Sequence, residues 1–358
     1  MIVKLSLGDV ERARLVLRGG SVLDWRRLNV TSLAEGDAIL RVNGFDPQNE
    51  EDGSRLREIH LSAVDYLERN FGFNFAPEIV NAVPPCKLML LASGGEPMLR
   101  RQACTVLKIM HIIHHVDARE LKSRLNISDR ALYHLVEEKT THAISEMKTQ
   151  GYPILDFQSS CKTHDSIITK LLSKKRGSWD PLYDRIRFRI VTATIDEIIP
   201  VVVYLGRHLF PFHLTVPGES HNSIFNFKDF IRRHPRISKM IPELQVDLMH
   251  ESEIIRPSNP DTSSKFKTVS FVVDLPIRLD ERQFEVWAPG IKLPSRVVHV
   301  LSEFQIVDQA SNIENKNGDA SHDRYKARRM TKAKERLLYG RMIRSEKDNM
   351  QPETGTGC

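Results

Sequence analysis

The sequence predicts an α+β protein in which an all-helical N-terminal part, residues 1–150, precedes a sheet that is flanked by helices. Apolar residues recur at helical spacing over most of the first 150 residues. After Gly151, in contrast, residues 185–192 alternate apolar and polar residues as strands do, and two further segments are also predicted strands. A chain of 358 residues is also long enough for two domains. We therefore expect a second domain over residues 151–345, followed by a disordered tail over residues 346–358.

Helical periodicity and end signals define the elements of the first part. Ser128 is the expected N-cap of a helix that reaches about Lys148 and is ended by Gly151. Prolines and glycines over residues 74–95 predict a connecting stretch with short elements. Further helices are expected at residues 9–17 and 55–71, and as a helix pair at residues 100–115 and 117–125.

The second part contains the strand-like segments, which are residues 185–192, 267–275 and 297–307. In the last of these, Glu303 and Gln305 share one face, and Phe304 and Ile306 share the other. A charged face opposite an apolar one predicts a half-buried sheet whose open face binds a polar ligand.

Three other segments of the second part are less regular. A helix is expected at residues 166–175. Residues 196–209 are interpreted as a helix covering the apolar face of the sheet, although their valines also allow a strand. Residues 311–321 are predicted to be too polar to form core.

Composition restricts the class of protein. Hydrophobic residues make up 41% and charged residues 27%, as in soluble globular proteins. No apolar run approaches the roughly 20 residues that cross a bilayer, so no membrane association is expected. The four cysteines form no CxxC pair and the N-terminus lacks the apolar core of a signal peptide, which favours the cytoplasm. A net charge of +6 suggests polyanionic partners such as nucleotides or RNA.

Five short blocks follow one another between residues 162 and 326. They are Lys162-x3-Ser166-x3-Lys170, Asp184-x4-Arg189, NFKDFI at Asn226–Ile231, EFQI at Glu303–Ile306, and the set Gly318, Ala320, His322, Tyr325 and Lys326. In this order and spacing, the blocks resemble the synthetase domain of RelA/SpoT-like (p)ppGpp synthetases, a nucleotidyltransferase family. The resemblance covers about residues 157–326. It implies a nucleotidyltransferase-like mixed or antiparallel sheet flanked by helices.

The resemblance also implies an activity: a pyrophosphokinase that transfers pyrophosphate from ATP to a ribose 3′-hydroxyl, with GTP or GDP as the expected acceptor. Such chemistry uses a divalent ion to bridge phosphate oxygens. Mg²⁺ usually takes one or two protein carboxylates besides phosphates. Asp184 and Glu303 are therefore the predicted catalytic and metal-binding residues. By resemblance, Glu303 also helps to deprotonate the acceptor hydroxyl.

Other residues of this region are predicted to bind the nucleotides. Five basic side chains would surround the triphosphate with positive charge, and they are Lys162, Lys170, Arg187, Arg189 and Lys228. Phe266 occupies the place of a tyrosine in the family and is expected to stack on guanine. The predicted set is completed by Ser166, Gln305, His322, Tyr325 and Lys326.

The acceptor side departs from the family pattern. Ser270 stands where the family has histidine, Val307 replaces the arginine after E-x-Q-I, and Asn226 replaces the first arginine of its loop. Two alternatives therefore stay open. One keeps the chemistry but transfers pyrophosphate to the 3′ end of tRNA, and the other is an inactive module that binds a nucleotide or RNA.

Two further features have structural interpretations that we favour over functional ones. The basic segment at residues 324–344 could bind RNA, but we favour a helix that docks through Met330, Leu337, Leu338 and Met342. His111, His114 and His115 crowd one helix, where we expect packing and surface histidines although the i, i+4 pair could bind metal. Residues 1–150 contain no His-Asp dipeptide, so we predict no alarmone hydrolase activity.

Overall fold

The computed structural model describes residues 5–19, 29–82, 85–173, 185–234, 238–239, 266–290, 295–317 and 322–339. The first part of this range contains helices. They are α1 (Leu7–Arg18), α2 (Leu33–Val42), α3 (Glu50–Phe71), α4 (Pro77–Val80), α5 (Cys86–Gly94), α6 (Pro97–Arg124) and α7 (Asp129–Thr149). Within the described ranges, no helix is long and apolar enough to cross a membrane.

The second part alternates strands and helices. In chain order they are β1 (Ile154–Cys161), α8 (His164–Ser173), β2 (Ile186–Thr192), α9 (Ile198–His208), β3 (His221–Asn222), α10 (Phe227–Arg233), β4 (Val269–Arg278), α11 (Glu281–Trp287), β5 (Val297–Asp308), α12 (Gln309–Asn317) and α13 (His322–Tyr339). The strands form one sheet in the order β1-β2-β5-β4-β3. β2 and β5 are parallel and the other neighbours are antiparallel, which confirms the predicted α+β class and mixed sheet.

Local end signals explain several boundaries. The Ser128 side chain accepts from the backbone N–H of Ala131 and begins α7, as predicted. Ser6 and Asp9 form a capping box at the start of α1. Gly19 ends that helix in the left-handed conformation, with φ +58°, and its N–H bonds to the carbonyls of Leu15 and Val16.

The predicted helix pair at residues 100–115 and 117–125 is wrong, because α6 is one continuous helix of 28 residues. The reason is that no glycine or proline follows Pro97 within it, so nothing interrupts its backbone hydrogen bonds. β1 was not foreseen either. It is an edge strand in which half of the side chains are polar, most are exposed, and hydrophobicity does not alternate.

The buried apolar residues of both parts form one continuous cluster. At its centre Phe271 stacks on Phe304, with ring centroids 5.7 Å apart and an interplanar angle of 13°. The valine-rich segment that allowed either state is the helix α9, and its Val201, Val202 and Val203 are buried. The division of the chain into domains at about residue 150 stays a prediction.

Residues 311–317 contradict the expectation that this segment is too polar for the interior. They lie in α12, and Ser311, Asn312 and Asn315 are buried. Hydrogen bonds compensate for the burial of these polar groups. Ser311 N donates to the Asp308 carboxylate at 3.2 Å, and Asn315 bonds to the backbone of Lys267.

The basic C-terminal helix α13 packs against α8, but not through the residues we expected. Met330, Leu337 and Leu338 are 59%, 67% and 53% exposed. Ala333 is buried instead, and Arg336 Nη1 donates to the carbonyl of Leu172 at 2.8 Å. A small side chain lets the two helices approach closely. Met342 and the tail at residues 346–358 lie outside the described residues.

Candidate functional site

Two polar pairs lie side by side where β2 meets β5. The register pairs Arg187 with Glu303 and Arg189 with Gln305. Residues paired in this way project from the same face of a sheet, so these four side chains share one face. Arg187 Nε donates to Glu303 Oε2 at 2.8 Å, and Gln305 Nε2 donates to Glu303 Oε1 at 2.8 Å. Both carboxylate oxygens of Glu303 are therefore held in position.

The surroundings of this cluster are positively charged. The side chain of Glu303 is 12% exposed and that of Arg187 is 29% exposed, so solvent and ligands reach the pair. Arg189 Nη2 donates to Asn312 Oδ1 at 2.9 Å. Burial, and next the charge of Arg187, lower the pKa of Arg189. A guanidinium stays protonated at neutral pH even so. Two guanidinium groups beside one carboxylate can bind an anionic group such as a phosphate.

The polar row continues across the sheet. In register, Gln158 of β1 is paired with Arg189, Ser270 of β4 with Gln305, and His221 of β3 with Ser270. One line of polar side chains thus crosses all five strands on the face that contains Glu303. The apolar face of β5 contains Phe304 and Ile306, which are fully buried. The sequence prediction of one polar and one apolar face is confirmed.

Phe266 precedes β4 and is held from two sides. Ser223 Oγ donates to its carbonyl at 2.9 Å. The next residue, Lys267, donates from its N–H to Asn315 Oδ1 at 2.9 Å and accepts from Asn315 Nδ2 at 2.6 Å. Phe266 itself is half-buried. Its backbone is therefore well anchored.

Sequence reasoning missed Asn312 and Asn315, which support Arg189 and the Phe266 segment. Their i, i+3 spacing directly after β5 is the signal that would have identified them, because it puts both amides on one face of a helix.

The block of Lys162, Ser166 and Lys170 begins where β1 ends. Cys161 is paired with Ile186, and Ile186 in turn with Ser302, the neighbour of Glu303. Lys162 N donates to the carbonyl of Arg185 at 2.9 Å, which fixes the start of the block beside β2. Ser166 and Lys170 follow on α8, where Ser166 Oγ accepts from Thr163 Oγ1 at 3.0 Å and Lys170 is buried.

The remaining predicted residues are less completely described. Lys326 is exposed on α13, the helix that packs against α8. Asp184 lies outside the described residues, as do the side chains of Lys228, His322 and Tyr325. The backbone of Lys228 belongs to α10, and that of His322 and Tyr325 to α13.

Glu303 is chemically suited to Mg²⁺, because a carboxylate is the hard oxygen ligand that this ion prefers. Its pairing with Arg187 means that a bound cation would have to share Oε2 with, or displace, a guanidinium. The oxygen Oε1 accepts from the neutral amide of Gln305, so it is the better placed donor. One protein carboxylate plus phosphates and water is sufficient for Mg²⁺ in many sites.

No protein-family model matches the chain, and no curated protein matches it. Among solved structures, the search finds small alarmone synthetase 2 from Bacillus subtilis, at 16% identity and a TM-score of 0.30 over 62% of this chain and 98% of that chain. It also finds small alarmone synthetase 1 from the same organism bound to its product pppGpp, at 15% identity and a TM-score of 0.32, with 62% and 94% covered.

A third match is a GTP pyrophosphokinase family protein from Streptococcus pneumoniae, at 14% identity and a TM-score of 0.28, with 62% and 90% covered. The chain is similar to these structures. At such low TM-scores and identities, the likeness establishes neither a family nor an activity for this protein.

Proposed function

We propose that the protein is a pyrophosphokinase that transfers pyrophosphate from ATP to a ribose 3′-hydroxyl. The observation that supports this most directly is the register of β2 and β5, which brings Arg187, Arg189, Glu303 and Gln305 together on one sheet face. Arg187 and Arg189 lie within the second sequence block and Glu303 and Gln305 in the fourth, and 116 positions separate Arg187 from Glu303. Residues of independent sequence blocks that converge at a half-exposed face are the arrangement expected of a functional site.

The proposed reaction assigns a role to each member of the cluster. The acceptor oxygen forms a bond to the β-phosphorus of ATP, the bond from that phosphorus to the α-phosphate oxygen breaks, and AMP leaves. Glu303 accepts the proton of the hydroxyl, and Gln305 and Arg187 hold its carboxylate in place. Arg189 interacts with the transferred phosphates, since guanidinium groups bind phosphate oxygens in a planar fork.

Mg²⁺ is the proposed metal, and when bound it neutralises phosphate charge. Glu303 would hold it together with Asp184. Asp184 is two residues before Ile186 in the chain, and Ile186 is paired with the neighbour of Glu303. Two extended residues span at most about 7 Å, which is compatible with the proposal that Asp184 reaches this end of the site.

The acceptor is the second half of the proposal. GTP or GDP is the expected acceptor, with Phe266 as the platform for guanine. Ser270 and Val307 differ from the family pattern. Val307 follows Gln305 on the sheet face that contains Glu303, and it is fully buried. The 3′ end of tRNA therefore stays as an alternative acceptor, and the test below includes it.

The test measures transfer of the γ-phosphate label of ATP by the full chain in the presence of Mg²⁺. The acceptors are GDP, GTP and uncharged tRNA in separate reactions. We expect labelled product with a guanosine nucleotide, and a loss of ~10²-fold or more in Glu303→Gln and in Asp184→Ala. Glu138→Gln is the matched control, because Glu138 is an exposed carboxylate on α7.

The outcomes separate the candidate functions. Product on tRNA alone would replace the guanosine acceptor but keep the chemistry. Binding of ATP or GTP by calorimetry, without transfer to any acceptor in Mg²⁺ or Mn²⁺, would show an inactive nucleotide-binding module. Full activity in Glu303→Gln would overturn the assignment of this residue.

A further inference from the structure

Three potential metal ligands from three separate elements meet at the other end of the same sheet face. They are His115 of α6, Asp274 of β4 and His299 of β5, and each offers one ligand atom such that all three atoms lie within 4.8 Å of one another. Nδ1 of His115 is 3.1 Å from Nδ1 of His299, and Nε2 of His115 is 3.5 Å from the Asp274 carboxylate. His115 thus lies between the other two.

The fold holds these residues rigidly. Asp274 is paired with Leu301, and His299 with Pro276, so the two ligands lie diagonally across β4 and β5. Helix α6 packs against β5. It is also anchored beside the cluster, where Lys122 Nζ donates to the carbonyl of His299 at 3.2 Å. A site assembled from a helix and two strands is preorganised, which favours tight metal binding.

The spacing of the two imidazoles is close to that of metal ligands. Zn²⁺ binds histidine nitrogen at about 2.0–2.1 Å in a tetrahedron, which separates two ligand nitrogens by roughly 3.3 Å. The observed 3.1 Å between the two Nδ1 atoms requires a shift of only a few tenths of an ångström.

The second observation is that His299 is not satisfied by hydrogen bonds. His299 is 3% exposed, and its Nε2 has no hydrogen-bond partner. A buried ring nitrogen without a hydrogen-bond partner destabilises the folded state. With Nδ1 facing a second imidazole nitrogen, no tautomer of the two rings satisfies every nitrogen. A cation bound at Nδ1 of both rings would replace the contact between these two nitrogens and leave the proton of each ring on Nε2.

The charges around the cluster select the kind of ion. Arg119 and Lys122 both act on Asp274 and oppose the binding of any cation. A hard ion such as Mg²⁺ or Ca²⁺ depends on carboxylates, and only one is present in this described cluster. First-row transition ions also bind imidazole strongly, so they are favoured here. The side chains of His115 and Asp274 are 28% and 13% exposed, which leaves an entry path.

We propose that His115, Asp274 and His299 bind one Zn²⁺ or a similar first-row divalent ion that links α6 to β4 and β5. Three protein ligands leave a fourth position for water. His299 and Glu303 are four residues apart on β5, or roughly 13 Å, so this site is separate from the proposed pyrophosphokinase centre and does not depend on it. The metal would stabilise the contact between the helical part and the sheet.

The test uses the full chain after removal of metal with a chelator. Equilibrium dialysis against ZnCl₂ is expected to restore one equivalent of zinc per chain. CoCl₂ is expected to give the visible absorption of four- or five-coordinate Co²⁺. Zinc is also expected to raise the unfolding temperature, because it binds the folded state.

Two variants locate the site. His115→Ala and Asp274→Asn should weaken zinc binding by at least ~10-fold, since loss of even an outer-shell partner costs 10-fold or more. Asp274→Asn preserves the shape of the buried side chain, and far-ultraviolet circular dichroism checks that each variant is folded. His142→Ala is the matched control, because His142 is an exposed histidine beside Glu146 on α7.

Retention of the zinc equivalent and of the temperature shift in both variants would overturn the location. Failure of the wild-type chain to retain one equivalent, whatever the behaviour of the variants, would overturn the site altogether. Neither result depends on whether the protein transfers pyrophosphate, so the two proposals fail independently.

Discussion

Arg187 Nε donates a 2.8 Å hydrogen bond to Oε2 of Glu303 across the parallel pair of β2 and β5. The two residues are 116 positions apart in the chain and directly opposite in register. Two interpretations are compatible with this contact. It is either an ion pair that stabilises the sheet, or a guanidinium that orients a catalytic carboxylate. Measurements of stability and activity on the same variants distinguish these interpretations.

A double-mutant cycle on Arg187→Gln and Glu303→Gln should give a coupling free energy of about 1 kcal/mol, because the pair is only partly exposed. Urea unfolding of the four proteins measures it. The exposed pair Asp65 and Arg69 on α3 is the control, with an expected coupling of about 0.3 kcal/mol. If Glu303 is catalytic, its substitution should abolish transfer while costing little stability. Parallel losses of both quantities in the two single variants would favour the structural interpretation.

Gly19→Ala should destabilise the protein by about 2 kcal/mol. Gly19 has φ +58°, and a Cβ there would lie 3.2 Å from the backbone N of Gly218 and 3.2 Å from Cβ of Ser220. Gly72→Ala is the matched control, because Gly72 has φ +66° but nothing within 4 Å of its Cβ position. Its expected cost is about 1 kcal/mol, from the left-handed backbone alone. Equal unfolding free energies for the two variants would show that the contact with the segment of Gly218 does not matter.

Asp9→Asn should lower the free energy of unfolding at pH 7 by about 3 kcal/mol, because it removes the charge from a fully buried carboxylate. Arg207 Nε donates to Asp9 Oδ1 at 2.9 Å, and Arg12 Nη2 donates to the same oxygen at 2.9 Å. Asp65→Asn, at an exposed position of α3, is the control and should change stability by less than about 0.5 kcal/mol.

The effect of Asp9 should also depend on pH. Burial raises the pKa of Asp9, but hydrogen bonds from Ser6, Arg12 and Arg207 together lower it below its usual value of 3.8. A carboxylate with a lowered pKa stabilises the fold above its unfolded-state pKa and loses this contribution as the pH falls through its folded-state pKa. The difference between the wild type and Asp9→Asn should therefore be constant above about pH 5 and shrink below 3.8. A difference that grows in acid would contradict this assignment.

Lys139 should give a pH dependence in the alkaline range. It lies on α7, its Nζ donates to the carbonyl of Pro276 at 2.7 Å, and burial lowers its pKa to about 8 from 10.5. Below pH 8 the ammonium group of this half-buried side chain is charged in the folded state, and the cost of its desolvation disappears as the folded state loses the proton before the unfolded state does. The wild type should therefore gain stability relative to Lys139→Met as the pH rises from 8 towards 10.5. Denaturant unfolding between pH 7 and 10 measures the gain, and Lys148→Met, exposed on the same helix, should track the wild type.

Much of the fold was predictable, because its elements are encoded by short-range patterns. Ser128 begins one helix and Gly19 ends another, in each case through hydrogen bonds to residues within four positions. The alternation of β2 and β5 reveals which residues share a face before any partner strand is known. The α+β class follows from these signals together. Edge strands such as β1 escape such reasoning, because little of their surface is buried and their pattern is correspondingly weak.

The candidate site was predictable only in its parts. Local patterns indicate that Glu303 and Gln305 point the same way, but strand register decides that Arg187 is the residue opposite Glu303. Likewise, Asn312 and Asn315 look like surface residues until the tertiary structure buries them against Arg189 and Lys267. His115 and His299 are 184 positions apart, and their 3.1 Å approach depends on how α6 packs against the sheet. The physical reason is the same in each case: backbone preference and periodicity act over a few residues, whereas register and packing depend on side chains that are distant in the chain.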